Sequence, residues 1–275
     1  MNTASLITSK EWLGLATKKL SLVGISTPEL DAVLLLCFSL NVTKIELLSK
    51  PNIMLSKNKL NLANKLLQQR ELGYPIAYLT KKIEFYGHTF FVDNRVLIPR
   101  PESESFINIL RAIDISKMKY LTDLGCGSGV LGITAKIEFP FLRVSLLDKS
   151  KRALNVTKIN LKSSGVDAKV ILSDLFSFYE DSPDIILANL PYVPKYMSVN
   201  KSASFEPKMA IFAENDGIFY YRKMLDQMKK KAISPKFILI ECLDKQIEFI
   251  VKLFNRSGYF LIQSDGLVHL FSISF

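Results

Sequence analysis

The chain has 275 residues, 48% of them hydrophobic, and a formal net charge of +10. That length buries a full core and accommodates one large domain plus a smaller one. No apolar run reaches the roughly 18–20 residues that span a bilayer, and no basic segment followed by a long apolar stretch opens the chain, so neither a membrane span nor a secretory signal is expected. Cys37, Cys126 and Cys242 lack disulfide or metal-ligand spacing, which suits a reducing cytoplasmic setting with no metal site. The lysines are scattered, and the one tight cluster, Lys229 to Lys231, falls at a predicted helix end where cations are favoured.

From about residue 5 to 72 the pattern is helical throughout. Ser9 precedes a helix carrying Trp12, Leu13, Leu15, Leu20 and Leu22. Thr27-Pro28-Glu29 starts a second helix with Pro in its first turn, the run Ala32 to Leu40 reads as buried, and Asn41 closes it. Short segments near residues 43–48 and 56–72 complete a small bundle with nothing catalytic in its composition. Gly73-Tyr74-Pro75 breaks the pattern. Glu84 to Ile98 then alternates aromatic and polar residues around Gly87 and Asp93-Asn94, a hairpin signal. Leu97-Ile98-Pro99-Arg100-Pro101-Glu102-Ser103-Glu104 is a stiff extended segment that feeds a helix with Pro101 at its first position.

Residues 119–275 alternate strand and helix. Strands are predicted at Tyr120 to Leu124, Leu142 to Asp148, Ala168 to Leu172, Asp184 to Ala188 and Phe237 to Glu241, with two closing strands near Tyr259 and His269. Such alternation implies an α/β fold with a doubly wound, mostly parallel sheet, one closing strand running antiparallel. Ligands of such sheets bind outside the carboxyl ends of the strands.

Three of those ends carry polar chemistry. After the first strand, Asp123 leads into Gly125-Cys126-Gly127-Ser128-Gly129 at the start of a helix, a loop whose backbone can approach a ligand closely. Gly127 to Gly132 formally matches the dinucleotide fingerprint, which is weak alone. A carboxylate just ahead of the glycines repels a pyrophosphate but stabilises a cationic amino-acid moiety, directly or through water. The pattern resembles the cofactor loop of class I S-adenosylmethionine-dependent methyltransferases. In that frame Asp148 ends the second strand where it can accept both ribose hydroxyls. Asp174 can accept from the adenine amino group, and Leu175 or Phe176 can pack on the base.

The stretch Ile185 to Ala188 is a buried strand that ends in Asn189-Leu190-Pro191-Tyr192, because Pro191 cannot donate to a ladder. The Asn189 side-chain oxygen and the Leu190 carbonyl can accept from one NH2 group while Tyr192 covers its π-face. This arrangement suits a delocalised, poorly nucleophilic nitrogen. Taken alone, the stretch also reads as a strand followed by a proline-stiffened loop.

Nearly the whole chain resembles the protein-(glutamine-N5) methyltransferases that modify peptide chain release factors. The resemblance is carried by Gly73 to Tyr78, Glu84-Phe85-Tyr86-Gly87, Leu97 to Glu104, Asp123 to Gly129, Asn189 to Tyr192, and Phe205-Glu206-Pro207 leading to Asp216-Gly217. It implies a helical substrate-recognition domain over residues 1–75 and a β-hairpin linker over 76–100. A class I, Rossmann-like methyltransferase domain with a mixed seven-stranded sheet would occupy 101–275. It further implies methyl transfer from S-adenosylmethionine to the glutamine amide of the Gly-Gly-Gln motif of release factors, by a cytoplasmic monomer. The catalytic residues would be Asn189, Leu190, Pro191 and Tyr192. Asp123, Gly125 to Gly129, Asp148, Asp174, Leu175, Phe176 and Asn189 would hold the cofactor, and Arg100, Pro101, Glu102, Asn189 and Tyr192 the protein substrate.

One position departs from the family. Leu190 stands where the usual pattern, Asn-Pro-Pro-Tyr, has its first proline, and Asn-Leu-Pro-Tyr looks more like ribosomal RNA adenine dimethyltransferases. With the +10 charge, that leaves an adenine-N6 methyltransferase, which would flip a base into the same kind of pocket, as the competing reading. A non-catalytic module on the same fold is the third. Nucleic acid is not expected as the direct substrate.

Overall fold

The computed structural model describes residues 7–214 and 216–273, so the first two residues of the predicted helical stretch fall outside it. The chain divides into two compact units, Met1–Lys81 with Asn200–Phe205, and Lys82–Val199 with Glu206–Phe275.

The first unit is helical: α1 (Ser9–Leu22), α2 (Pro28–Leu40), α3 (Lys44–Ser49), α4 (Lys57–Glu71) and α5 (Ile76–Thr80). Thr8 and Thr43 each form a reciprocal cap with the glutamate three residues on, which satisfies backbone N–H groups that a helix start leaves free. Thr8, one residue earlier than the sequence suggests, therefore caps α1. Ser9 turns its hydroxyl to the Pro51 carbonyl at 2.7 Å. Trp12, Ala16 and Leu20 form the buried stripe of α1, whereas the predicted Leu15 and Leu22 are exposed. Trp12, Ala16 and Leu20 pack with Leu35, Leu36, Leu66 and Leu67 in one core. Buried Asp31 is paired with Arg70 Nε at 2.6 Å.

The second unit opens with the hairpin β1 (Ile83–Phe85) and β2 (His88–Phe90), turned by Tyr86 and Gly87, both at positive φ. Positive φ at both central residues is what a two-residue hairpin turn of type I′ requires. The regular hairpin is shorter than the alternating stretch, and residues 91–100 run on as irregular chain. Its Phe85 and Phe90 are buried in the same cluster as Leu121 and Leu146, so the hairpin packs as part of this unit. Pro101–Glu104 is a 3-10 turn with Pro first, followed by α6 (Ser105–Ala112).

There follow β3 (Tyr120–Leu124), α7 (Val130–Glu138), β4 (Arg143–Asp148), α8 (Lys151–Ser164), β5 (Lys169–Leu172), β6 (Ile185–Ala188) and β7 (Val193–Pro194). The chain closes with α9 (Lys208–Ile211), β8 (Phe212–Ala213), α10 (Phe219–Lys231), β9 (Phe237–Glu241), α11 (Asp244–Asn255), β10 (Tyr259–Asp265) and β11 (Val268–Ile273). The seven-stranded sheet has the order β10-β11-β9-β6-β3-β4-β5. The β3, β4, β5, β6 and β9 strands pair in parallel, and β11 runs antiparallel to both β9 and β10. All four residues of β6 and all five of β9 are buried, as continuous apolar strands covered on both faces must be. Strand order reverses between β3 and β6, which opens a crevice at their carboxyl ends. Among the described residues, no helix is long and apolar enough to cross a membrane.

Candidate active site

Four strand ends converge on that crevice. The loop after β3 supplies Gly125 and Gly127, β4 ends in Asp148, the turn after β5 supplies Asp174 and Leu175, and β6 runs into Asn189, Leu190 and Pro191. Arg95 to Leu97 and Tyr220 complete a cleft whose free space measures about 710 Å³, its mouth included.

The glycine loop is held from behind. Asp148 takes the Gly127 N–H on Oδ2 at 3.0 Å and the Ser150 N–H on Oδ1 at 2.7 Å. Thr157 Oγ1 donates to the Gly127 carbonyl at 2.9 Å, and Asn160 Nδ2 to the Ser128 carbonyl at 2.8 Å. Asp123 is 1% exposed and accepts the Gly132 N–H at 2.9 Å, so it sits beneath the loop rather than on the cleft wall. Burial, opposed by the Gly132 hydrogen bond and assisted by the Asp148 charge, lifts its carboxyl to about 7. Burial raises Asp148 as well, against the Ser150 and Gly127 hydrogen bonds.

Not every expected residue reaches the cleft. Cys126, Ser128 and Gly129 are buried behind it. Leu175, held at positive φ, faces the cleft, whereas Phe176 is wholly buried against Tyr179 and cannot cover a bound ring. Asp174 is ion-paired with Lys223, which occupies Oδ2. Arg100, Pro101 and Glu102 do not line the cleft. Arg100 is drawn to buried Glu206, whose other oxygen takes the Ile98 N–H, at 2.7 and 2.9 Å respectively.

The turn after β6 is the most tightly determined part. Asn189 Nδ2 donates into the pair formed by Ser103 Oγ, at 3.0 Å, and Glu241 Oε2, at 2.9 Å. Ser103 Oγ donates to the same Glu241 oxygen at 2.5 Å, and Tyr192 OH donates to Glu241 Oε1 at 2.7 Å. Tyr192 is therefore pinned by its hydroxyl beside the cleft rather than on its wall. Gln246 Nε2 donates to the carbonyls of Tyr192 and Asp216 at 2.8 and 2.9 Å. Gly217 has to be glycine there, since a Cβ would lie 2.2 Å from the Tyr192 carbonyl oxygen. Ser103, Glu206, Glu241 and Gln246 are absent from the sequence-derived site. Glu241 had a readable signal: it is the lone acid closing an all-apolar strand, the same cue that marks Asp148.

The lining fits S-adenosylmethionine. Carboxylates at two strand ends oppose a phosphate and suit hydroxyls and a cation, while Gly125 and Gly127 leave the backbone open beside them. Residues 103–205 match the family model of the methyltransferase small domain. The hMettl16 catalytic domain, solved in complex with a 3′UTR hairpin, shares the fold with a TM-score of 0.54 at 12% identity, over 78% of this chain and 80% of that one. Fold and cleft together define an S-adenosylmethionine-dependent methyltransferase. Residues 11–80 match a second model, the PrmC N-terminal domain. The release factor glutamine methyltransferase of Koribacter versatilis is 31% identical over 81% of both chains, and that of Buchnera aphidicola from Schizaphis graminum is 29% identical over 92% of both. The chain belongs to the release factor glutamine methyltransferase family. It is also 32% identical to the bifunctional methyltransferase of Rickettsia typhi, over 91% of this chain but only 53% of that protein.

Proposed function

We propose that this chain methylates the side-chain amide nitrogen of the glutamine in the Gly-Gly-Gln motif of peptide chain release factors. One observation carries the reading: with Asn189 Nδ2 turned inward to Ser103 and Glu241, Oδ1 is the end left to face the cleft, next to Leu190 and Pro191. A primary amide brings two N–H donors to be matched, and Oδ1 with the Leu190 carbonyl offers two acceptors. Held in that way, the amide nitrogen is oriented before reaction and its developing positive charge is stabilised in place. S-adenosylmethionine, when bound, supplies the methyl group on a sulfonium leaving group. Gly125, Gly127 and Asp148 would hold it, Leu175 would pack on its base, and Asp174 would accept through the oxygen that Lys223 leaves free. Asp123 would act by shaping the loop. Pro191 stiffens the path, Tyr192 braces Glu241 behind Asn189, and one amide proton leaves to water.

Residues 1–75 are read as the substrate-recognition domain, a role supported by the match of residues 11–80 to the PrmC N-terminal domain. The test is transfer from radiolabelled S-adenosylmethionine to unmethylated release factor, to its glutamine-to-alanine variant and to total RNA. Label on the wild-type release factor alone is expected. Label on RNA alone would mean that Leu190 marks an adenine methyltransferase instead.

A further inference from the structure

We infer that Glu241 is the positioning residue that sets the polarity of the Asn189 amide, an inference that rests on the proposed reading of Asn189 as the acceptor of the substrate amide. An asparagine side chain is nearly symmetric in shape, so its oxygen and nitrogen exchange places by a half-turn about its last bond. Which end faces the cleft decides whether the site accepts or donates. A donor pointing into the cleft would meet the NH2 of the substrate head-on.

Among the described residues that Asn189 Nδ2 meets, Glu241 alone makes the choice one-way. Ser103 Oγ can either donate or accept, so alone it tolerates both orientations. A carboxylate only accepts. Glu241 is 1% exposed and gathers three donors: Ser103 OH and Asn189 Nδ2 on Oε2, and Tyr192 OH on Oε1. By holding the Ser103 hydrogen on its own oxygen, it also turns the serine lone pair toward Asn189 Nδ2, at 3.0 Å. The serine thereby becomes a second acceptor, and Nδ2 is drawn inward by both. Glu241 is itself fixed at the end of β9, where its main-chain carbonyl accepts from the hydroxyl of buried Tyr221 at 2.5 Å. Burial raises the Glu241 carboxyl, and the hydrogen bonds from Ser103, Tyr192 and Asn189 oppose that shift; in its ionised form those bonds contribute more than neutral ones.

The test compares Glu241→Asp, Glu241→Gln and Glu241→Ala for methyl transfer to release factor, for S-adenosylmethionine affinity, and for exchange of the Asn189 side-chain amide protons in ligand-free protein by NMR. Those resonances are assigned by their loss in Asn189→Ala. Glutamine keeps the size of glutamate but not its one-way polarity; aspartate keeps the polarity but is shorter. The inference expects kcat to rank wild type, then Asp, then Gln with Ala, the last two at least tenfold below wild type, with cofactor affinity within about twofold. It also expects the protection of the Asn189 amide to fall about tenfold in Glu241→Gln. A packing role would instead rank Gln above Asp, and that order, or unchanged amide protection in Glu241→Gln, overturns the inference. Wild-type protein that labels no release factor overturns the functional reading, and the amide-exchange arm still decides the role of Glu241.

Discussion

A Cβ built on Gly125 lies 3.0 Å from Leu190 Cδ2, so the glycine loop and the turn after β6 meet through the Leu190 side chain. Gly125 also holds a φ of +69°, which costs an L-residue about 1–2 kcal/mol. Gly125→Ala is therefore expected to weaken S-adenosylmethionine binding at least tenfold in equilibrium dialysis. The double variant with Leu190→Ala should not recover it, since removing the leucine relieves the contact but not the backbone.

Leu190 is 3% exposed and packs in the core cluster that contains Leu175 and Ile240. Leu190→Ala is expected to lower unfolding free energy by about 2–4 kcal/mol, the usual range for a buried leucine, read from chemical denaturation. The main-chain carbonyl survives the change. Residual methyl transfer should thus exceed that of Asn189→Ala, which removes an acceptor outright. Equal loss in both variants would mean that the Leu190 side chain holds the turn in place as decisively as the Asn189 acceptor serves it.

Much of this site could be read in advance because its carriers sit at strand ends, where an abrupt change from apolar to polar residues is visible along the chain. The alternation from Tyr120 onward places β3, β4, β5, β6 and β9 within a residue or so of where they form, since each is a short apolar run bounded by turn residues. What sequence hides is direction and partnership. Nothing along the chain says that Asp123 points beneath the loop to Gly132, that Phe176 turns inward while Leu175 turns out, or that Asp174 is taken by Lys223. The link among Ser103, Asn189 and Glu241 joins residues 52 or more positions apart, a tertiary fact with no local pattern. The Pro-Arg-Pro segment reaches Asn189 through Ser103, not through Arg100, Pro101 or Glu102.

Asp148 carries two tasks in one carboxylate. It clamps the Gly127 and Ser150 N–H groups while facing the cleft. Asp148→Ala is expected to raise the S-adenosylmethionine dissociation constant about 100-fold, and Asp148→Asn about tenfold, because an amide can serve only one of the two N–H donors. Isothermal titration of the three proteins measures this. Equal affinity in wild type and Asp148→Ala would remove Asp148 from the site.

Asp123 makes stability depend on pH in a direction opposite to a paired carboxylate. Its folded-state pKa, about 7, lies above the roughly 3.9 of an unfolded aspartate. Below about pH 4 both states are protonated and the group is neutral in its effect. As pH rises to 7 the unfolded chain ionises first, so stability is progressively lost, and above 7 the loss is complete. Asp123→Asn keeps an oxygen for the Gly132 N–H and removes the buried charge. The variant should melt close to wild type near pH 4 and several degrees above it at pH 8, with the gap opening between the two. The same change should weaken cofactor binding by disturbing the loop above it, so the gain in stability comes with a loss of function. Thermal melts of both proteins across that range decide the point: a gap independent of pH would mean that Asp123 is ionised at its ordinary pKa in the folded protein.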